Sequence, residues 1–297
     1  MPSSFTLLRC VHWTLWLWLC SITAMAEPLS HSVQIASAPL SSAPQALRGT
    51  LYWPDNHDAS TPPIPAVVML HGCGGAYTSQ GKVSTRFAMW GQLLAQHGYA
   101  ALLVDSFGPR GLREICTTAL AKRTLKEADR VGDAYAALQY LRQQPGIDTQ
   151  HIGLMGWSNG AGVTLDAIRH KPQGVAGFQA AVAFYPGCTA RNRKADSFMP
   201  YAPLHIFIGQ ADDWTPAAPC IALTHTAQSH GAPMQIVTYP DTYHDFDNPT
   251  LTAKRLRTDV PNGVNPGQGT TIAPNPQARA DAQARTLAFL QEFLYSR

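Results

Sequence analysis

The residues best suited to chemistry lie at positions 151–162, HIGLMGWSNGAG, where a G-x-S-x-G pentapeptide is centred on Ser158. An apolar stretch precedes the pentapeptide and a helix is predicted to follow it. A serine at such a strand-to-helix turn is typical of a nucleophile elbow, in which side chains at the two glycine positions would collide with neighbouring backbone. The following helix directs N–H groups and a partial positive charge towards the reacting centre. The pattern predicts that Ser158 is a nucleophile, with a glycine-rich turn of purely structural role as the alternative.

A serine hydroxyl reacts only when a base lies within hydrogen-bond reach and an acid orients that base. The chain supplies candidates in the order Ser158, Asp212 and His244, each close after a predicted strand. We expect His244 to take the proton from Ser158 and return it to the leaving group, while Asp212 fixes the imidazole tautomer. Asp212 is preferred to the neighbouring Asp213 because of its place in a G-x-x-D-x-x-x-P turn.

Acyl transfer also needs preorganised N–H donors for the oxygen that becomes negatively charged. The residue after the nucleophile, Asn159, is expected to supply one backbone donor. The second is expected from Cys73, which stands in a His-Gly-x pattern directly after the apolar stretch PAVVMLH. The rival interpretation, in which the Cys73 thiol is itself the nucleophile, is rejected because that thiol would point away from the elbow and a disulfide would inactivate it.

Strands and helices alternate along the chain in a way that would gather these residues. Strands are predicted at residues 48–53, 65–71, 99–105, 152–155, 180–185, 204–209 and 235–239, and helices at 85–97, 125–144, 161–170, 217–230 and 278–295. This alternation predicts an α/β fold with a doubly wound, mostly parallel sheet flanked by helices. The carboxyl ends of parallel strands carry the functional groups in such a sheet, so the candidate residues are expected to meet there.

The N-terminus has the pattern of a secretory signal peptide. Arg9 precedes a short apolar run at residues 11–19, and the sequence A-M-A at 24–26 fits a cleavage site. We expect cleavage after Ala26, a secreted or periplasmic protein without stable membrane insertion, and a single domain over residues 27–297. The alternative is an uncleaved membrane anchor.

Four cysteines follow the predicted signal peptide, and an even number in an oxidising compartment indicates two disulfides. Three pairings are possible from the count alone. We hypothesise Cys73–Cys116 and Cys188–Cys220, because the members of each pair follow two successive strands that should be neighbours.

Composition and charge argue against several other classes of protein. The chain of 297 residues is 45% hydrophobic and 14% charged, with a formal net charge of only +3, and its basic clusters at 191–194 and 254–257 are short and lack aromatic residues. We therefore expect no nucleic-acid partner. The sequence contains no H-E-x-x-H motif, phosphate loop or dinucleotide fingerprint, so neither a metal nor a cofactor is expected. It gives no indication of an oligomeric state.

From about residue 47 onwards the chain resembles the dienelactone hydrolase family of α/β-hydrolases. The resemblance rests on MLHGCGG, VDSFGPRG, GWSNGA, GQADDWTP and YPDTYHDFDNP. It implies the α/β-hydrolase fold, ester hydrolysis and a small-molecule ester substrate. Dienelactone hydrolases proper carry a cysteine nucleophile and a glutamate that partners it, where this chain has Ser158 and HGCGG, so the resemblance is to a serine-nucleophile variant. The resemblance also makes Arg110 a candidate contact for a substrate anion, with a surface arginine that caps a loop as the alternative.

The predicted function is hydrolysis of carboxylic esters by a serine hydrolase. A peptidase or a polyester hydrolase on the same fold is an alternative, because the elbow does not specify the acyl group. A non-catalytic binding module is another, although such proteins usually lose one member of the triad. The long polar segment at 247–276, rich in Pro, Gly and Asn, is expected to fold over the site beside His244.

Overall fold

The computed structural model describes Met1 and residues 29–36, 46–55 and 62–295. The apolar run and cleavage site of the predicted signal peptide lie outside the described residues. Within the described part of the chain, no helix has both the length and the apolarity needed to cross a membrane.

Eight strands form the main sheet in the described residues. They are β1 (Leu29–Ile35), β2 (Leu47–Trp53), β3 (Ile64–Leu70), β4 (Ala100–Asp105), β5 (Ile147–Trp157), β6 (Ala181–Phe184), β7 (Leu204–Gly209) and β8 (Met234–Tyr239). Their spatial order is β1-β2-β4-β3-β5-β6-β7-β8. The strands from β4 to β8 pair in parallel, whereas β1 and β2 join the sheet antiparallel at one edge. The predicted doubly wound, mostly parallel sheet is confirmed.

Helices cover both faces of this sheet. They are α1 (Thr85–Gln96), α2 (Glu127–Arg142), α3 (Asn159–Arg169), α4 (Thr189–Asn192), α5 (Ala217–Ser229) and α6 (Pro276–Leu294). Gly153 and Gly156 on β5 point to opposite faces, since they are an odd number of residues apart. A side chain at Gly153 would meet Leu290 and Leu294 of α6, whereas one at Gly156 would meet Thr164 of α3. The central strands are therefore buried on both sides, which explains their continuous apolar sequences.

Two strand predictions differ from the structure. β1 was not predicted, because four of its residues, at 30–32 and 34, are exposed and the strand lies at the edge of the sheet. β5 begins at Ile147 rather than at residue 152. The polar residues at 148–151 belong to the strand but are partly exposed, so they lack the apolar pattern on which the prediction rested. A second, two-stranded sheet pairs β9 (Arg255–Arg257) with β10 (Thr270–Ile272), inside the segment at 247–276.

Candidate active site

Ser158 lies between the end of β5 and the start of α3, in a backbone conformation that is rare for a serine. Its φ is 52° and its ψ is −114°. A residue other than glycine in such a conformation costs on the order of 1–3 kcal/mol and is held by the surrounding structure. No residue with a side chain fits at either flanking glycine. A Cβ at Gly156 would collide with the carbonyl oxygen of Gly160, and a Cβ at Gly160 would collide with the carbonyl oxygen of Leu70. The turn thus has the tight geometry expected of an elbow.

His244 connects Ser158 to Asp212 through two hydrogen bonds. The distance from His244 Nε2 to Ser158 Oγ is 3.0 Å, and that from His244 Nδ1 to Asp212 Oδ2 is 2.7 Å. All three side chains are buried, and His244 is only 1% exposed. The sequence separates these residues by 54 and 32 positions, and the parallel sheet brings them together as the strand order predicted.

The environment of His244 stabilises the imidazolium. Burial opposes the charged ring, but the carboxylate of Asp212 and its hydrogen bond outweigh burial, so the pKa of His244 is raised above the ordinary value. Asp212 is fixed for this contact because its Oδ1 accepts the backbone N–H groups of Trp214 and Thr215 at 2.9 and 2.8 Å. The indole of Trp214 also packs against the imidazole, with ring centroids 4.7 Å apart.

Asp213 has a different set of contacts from Asp212. Its two carboxylate oxygens accept the backbone N–H and the hydroxyl of Thr271, both at 2.7 Å. Asp213 therefore anchors the segment at 247–276 beside the site. Of the two aspartates, Asp212 is the one that is hydrogen-bonded to His244.

The loop after β3 lies directly against the elbow. A Cβ at Gly72 would be 3.4 Å from Cβ of Ser158. In the part of the chain that the structure describes, the backbone N–H groups of Cys73 and Asn159 donate no hydrogen bond, and both residues line the same cavity as Ser158. These two amides are thus available to an oxyanion beside Ser158.

The thiol of Cys73 is joined to Cys116 in a disulfide, and Cys188 is joined to Cys220. Both hypothesised pairs are present. The first disulfide ties the loop after β3 to the loop after β4, and the backbone N–H of Ile115 donates to the carbonyl of Cys73 at 2.8 Å. Two disulfides are consistent with an extracellular or periplasmic protein.

Arg110 does not fit the anion contact suggested for it. Its two Nη atoms form a bidentate ion pair with Asp133 of α2, each at 2.8 Å, and Nη1 also donates to the carbonyl of Ser106. Arg110 lines neither of the two cavities beside Ser158. The guanidinium fixes the loop after β4 to α2, and its side chain is only 12% exposed.

Sequence reasoning missed a buried polar cluster behind His244, centred on Asp247. The Asp247 carboxylate accepts the indole N–H groups of Trp90 and Trp157, both at 2.9 Å, and the hydroxyl of Tyr185 at 2.5 Å. The ring of Tyr185 packs on the imidazole of His244, with centroids 4.5 Å apart. Burial raises the pKa of Tyr185 well above its ordinary value, so its hydroxyl stays protonated and donates. The two aspartates in HDFDNP, directly after His244, were the sequence signal that could have indicated this cluster.

Two cavities open on Ser158. The larger has a volume of about 900 Å³ and lies over α3, α4 and the loop after β7. The smaller has a volume of about 270 Å³ and lies over the loop after β3 and the start of α1. Residues 262–264 line the larger cavity and Arg257 lines the smaller one, so the segment at 247–276 reaches the site as expected. Among the described residues, no cluster of His, Cys, Asp and Glu has the arrangement of a metal site.

The strand order and the serine at the turn between β5 and α3 define the α/β-hydrolase class. The model of the dienelactone hydrolase family matches residues 47–294, and the chain belongs to that family.

Three similar proteins illustrate the range of the resemblance. A Bradyrhizobium protein named "Probable 2-oxo-3-(5-oxofuran-2-ylidene)propanoate lactonase" is 24% identical over 194 residues, which are 62% of this chain and 73% of that protein. The crystal structure of a dienelactone hydrolase from Anabaena variabilis has a TM-score of 0.62 at 17% identity and covers 91% of this chain and 100% of its own. Thermogutta terrifontis esterase 2, phosphorylated by paraoxon, has a TM-score of 0.60 at 19% identity, with coverages of 89% and 96%. The two structures show that the fold is shared.

Proposed function

We propose that this protein is an exported serine hydrolase that cleaves carboxylic esters through an acyl-enzyme, with Ser158, His244 and Asp212 as its catalytic triad. The observation that carries the proposal is the continuous hydrogen-bonded series from Ser158 Oγ to His244 Nε2 and from His244 Nδ1 to Asp212 Oδ2. Membership in a hydrolase family and the two disulfides support the reaction class and the export, respectively.

In the first step, Ser158 Oγ forms a bond to the carbonyl carbon of the ester while His244 Nε2 takes the hydroxyl proton. The carbonyl oxygen becomes an oxyanion and accepts the backbone N–H groups of Cys73 and Asn159. Each such donor contributes roughly 3–4 kcal/mol to the stabilisation of the transition state. The intermediate then collapses: the bond between the carbonyl carbon and the leaving oxygen breaks, and the imidazolium returns its proton to that oxygen.

In the second step, water replaces the alcohol. His244 takes a proton from the water, whose oxygen attacks the acyl-enzyme, and the bond to Ser158 Oγ breaks as that oxygen regains the proton. The products are the carboxylic acid and the free enzyme. Asp212 keeps Nδ1 of His244 protonated throughout, so that Nε2 is free to accept from Ser158 and then from water.

The test is labelling of the mature, disulfide-intact protein with a fluorophosphonate, followed by mass spectrometry of the labelled peptide. We expect the label on Ser158, its loss in Ser158→Ala, and its retention in Ser106→Ala, which removes another buried hydroxyl near the site. The solved esterase phosphorylated by paraoxon makes a phosphorylating probe a suitable choice. A label on any residue other than Ser158, or no label on the folded protein, would contradict the proposal.

A further inference from the structure

The two cavities beside Ser158 have largely different walls. Of the described residues that line them, they share Cys73, Ser158 and Trp214. A substrate whose carbonyl carbon is within reach of Ser158 Oγ therefore extends into two separate spaces. An ester has two such extensions, the acyl group on the carbonyl carbon and the alcohol on the leaving oxygen.

His244 decides which extension enters which cavity. Its imidazole lines the smaller cavity and not the larger one. The leaving oxygen must lie within hydrogen-bond distance of His244 Nε2, because that atom gives it the proton as the carbon–oxygen bond breaks. The alcohol therefore departs from the smaller side. Asn159, the expected oxyanion donor, lines the larger cavity and not the smaller one.

We propose that the larger cavity is the acyl site and the smaller cavity the leaving-group site, so that the enzyme selects esters of bulky acids with small alcohols. This inference rests on the proposed function. The volume of about 900 Å³ is near the upper end of the range for ligand pockets, whereas about 270 Å³ falls below its lower end.

The walls of the larger cavity suit a bulky acyl group. Leu125, Pro216, Pro219 and Val264 contribute apolar surface beside the indole of Trp214, which both cavities share. The lining also includes charged side chains, namely Arg123, Lys126, Glu127, Arg191 and Arg193. A bulky acyl group would therefore pack on the apolar part of the wall. Apolar and aromatic walls stabilise an apolar ligand by about 25 cal/mol for each Å² removed from water.

The smaller cavity is bounded by features that cannot easily move. The loop of residues 72–75 is held by the disulfide from Cys73 to Cys116. On its other side, Arg86 is ion-paired with Asp245 at 2.9 Å. The disulfide and the ion pair hold these walls in place, so the volume of about 270 Å³ limits the alcohol to a small group.

The test compares pairs of isomeric esters that carry the same ring on opposite sides of the ester bond. The pairs are methyl phenylacetate with benzyl acetate, and methyl naphthylacetate with naphthylmethyl acetate. Both members of a pair release an alkyl alcohol, so their intrinsic reactivities are similar. We expect kcat/KM to favour the methyl esters, by about tenfold for the naphthyl pair, with a smaller preference for the phenyl pair.

Two variants test the assignment of each cavity separately. Ala190→Trp narrows the larger cavity and Thr78→Trp the smaller one, and both positions are exposed at a cavity wall. We expect Ala190→Trp to slow methyl naphthylacetate at least about fivefold without slowing methyl acetate, and Thr78→Trp to slow naphthylmethyl acetate alone.

The outcomes separate this inference from the proposed function. Equal rates for the two naphthyl isomers, a preference for naphthylmethyl acetate, or exchanged effects of the two variants would overturn the cavity assignment while Ser158 is still labelled by the fluorophosphonate. A protein that neither takes the label nor hydrolyses any of the four esters would overturn the proposed function and the assignment with it.

Discussion

Arg130 donates a hydrogen bond from Nη1 to the side-chain Oδ1 of Asn159 at 2.6 Å. Its Nη2 donates at 2.9 Å to the carbonyl of His71, two residues before Cys73. One fully buried guanidinium on α2 thus joins the two segments whose backbone N–H groups we propose as oxyanion donors. Burial lowers the pKa of Arg130 to about 10. This value is still well above neutral pH, so the guanidinium remains charged.

Replacing Arg130 should therefore lower kcat more than it changes KM. In Arg130→Met the buried length of the side chain is kept but both hydrogen bonds are lost, so the two donor segments are no longer fixed to each other. We expect kcat to fall by about 10- to 100-fold, which is less than the effect of removing an entire oxyanion donor. KM should change less than about threefold. The measurement is steady-state kinetics on an ester that the enzyme hydrolyses.

The matched control is Arg142→Met on the same helix, where the guanidinium donates to the carbonyl of Thr149, away from Asn159 and Cys73. Thermal unfolding of both variants separates a loss of stability from a loss of catalysis. If Arg130→Met lost activity only in proportion to its unfolded fraction, or if Arg142→Met had the same effect on kcat, Arg130 would not be a positioning residue.

The contrast between Arg130 and the triad shows what the sequence could predict. Ser158, Asp212 and His244 follow strand ends at recognisable turns, so local patterns were enough to predict that these three side chains meet. Arg130 lies within a helix whose pattern indicates a solvent-exposed position for a charged residue. Its burial depends on where α3 and the loop after β3 come to lie, which is a tertiary relationship without a local signature.

The same limit applies to Arg110 and to the elements at the sheet edge. The motif around Arg110 indicated a loop near the site, but the partner Asp133 lies on another element, 23 residues away. The apolar stretches that form the central strands were readable because both of their faces are buried. The edge strand β1 exposes most of its side chains and so has no such pattern.

The acid limb of the pH–rate profile should lie above the ordinary pKa of histidine. In the proposed mechanism His244 must be neutral to accept the proton from Ser158, so activity should be lost as pH falls through its pKa. Burial lowers the pKa of His244, but the charge and hydrogen bond of Asp212 raise it by more, so the net direction is upward. We expect kcat/KM to decline below an apparent pKa higher than about 6.5.

The variant Asp212→Asn should move that limb to lower pH. The charge that raises the pKa of His244 is removed while burial, which lowers it, remains. Maximal kcat should also fall by about 10⁴-fold, because an amide does not hold the imidazole in the required tautomer. Asp213→Asn is the control, since the neighbouring carboxylate binds Thr271 instead. An unchanged midpoint in Asp212→Asn, or an equal shift in Asp213→Asn, would refute this account of His244.

His205 should make the fold sensitive to acid. Its ring stacks on Phe207, with centroids 4.3 Å apart, and neither ring nitrogen has a hydrogen-bond partner among the described residues. Burial, assisted by the charge of Arg285, lowers its pKa to about 4. The unfolded chain takes up this proton near pH 6.5, so it binds more protons than the folded chain between about pH 6.5 and 4. The stability of the fold must therefore fall as pH decreases through this window.

The variant His205→Leu should remove this dependence. From pH 8 to pH 5 we expect the wild type to lose about 2 kcal/mol of unfolding free energy through His205, and the variant to lose correspondingly less. No hydrogen bond is given up, because neither ring nitrogen makes one among the described residues. The measurement is urea unfolding at both pH values, with His225→Leu, an exposed position on α5, as the control. The interpretation fails if His205→Leu and the wild type lose the same free energy between the two pH values.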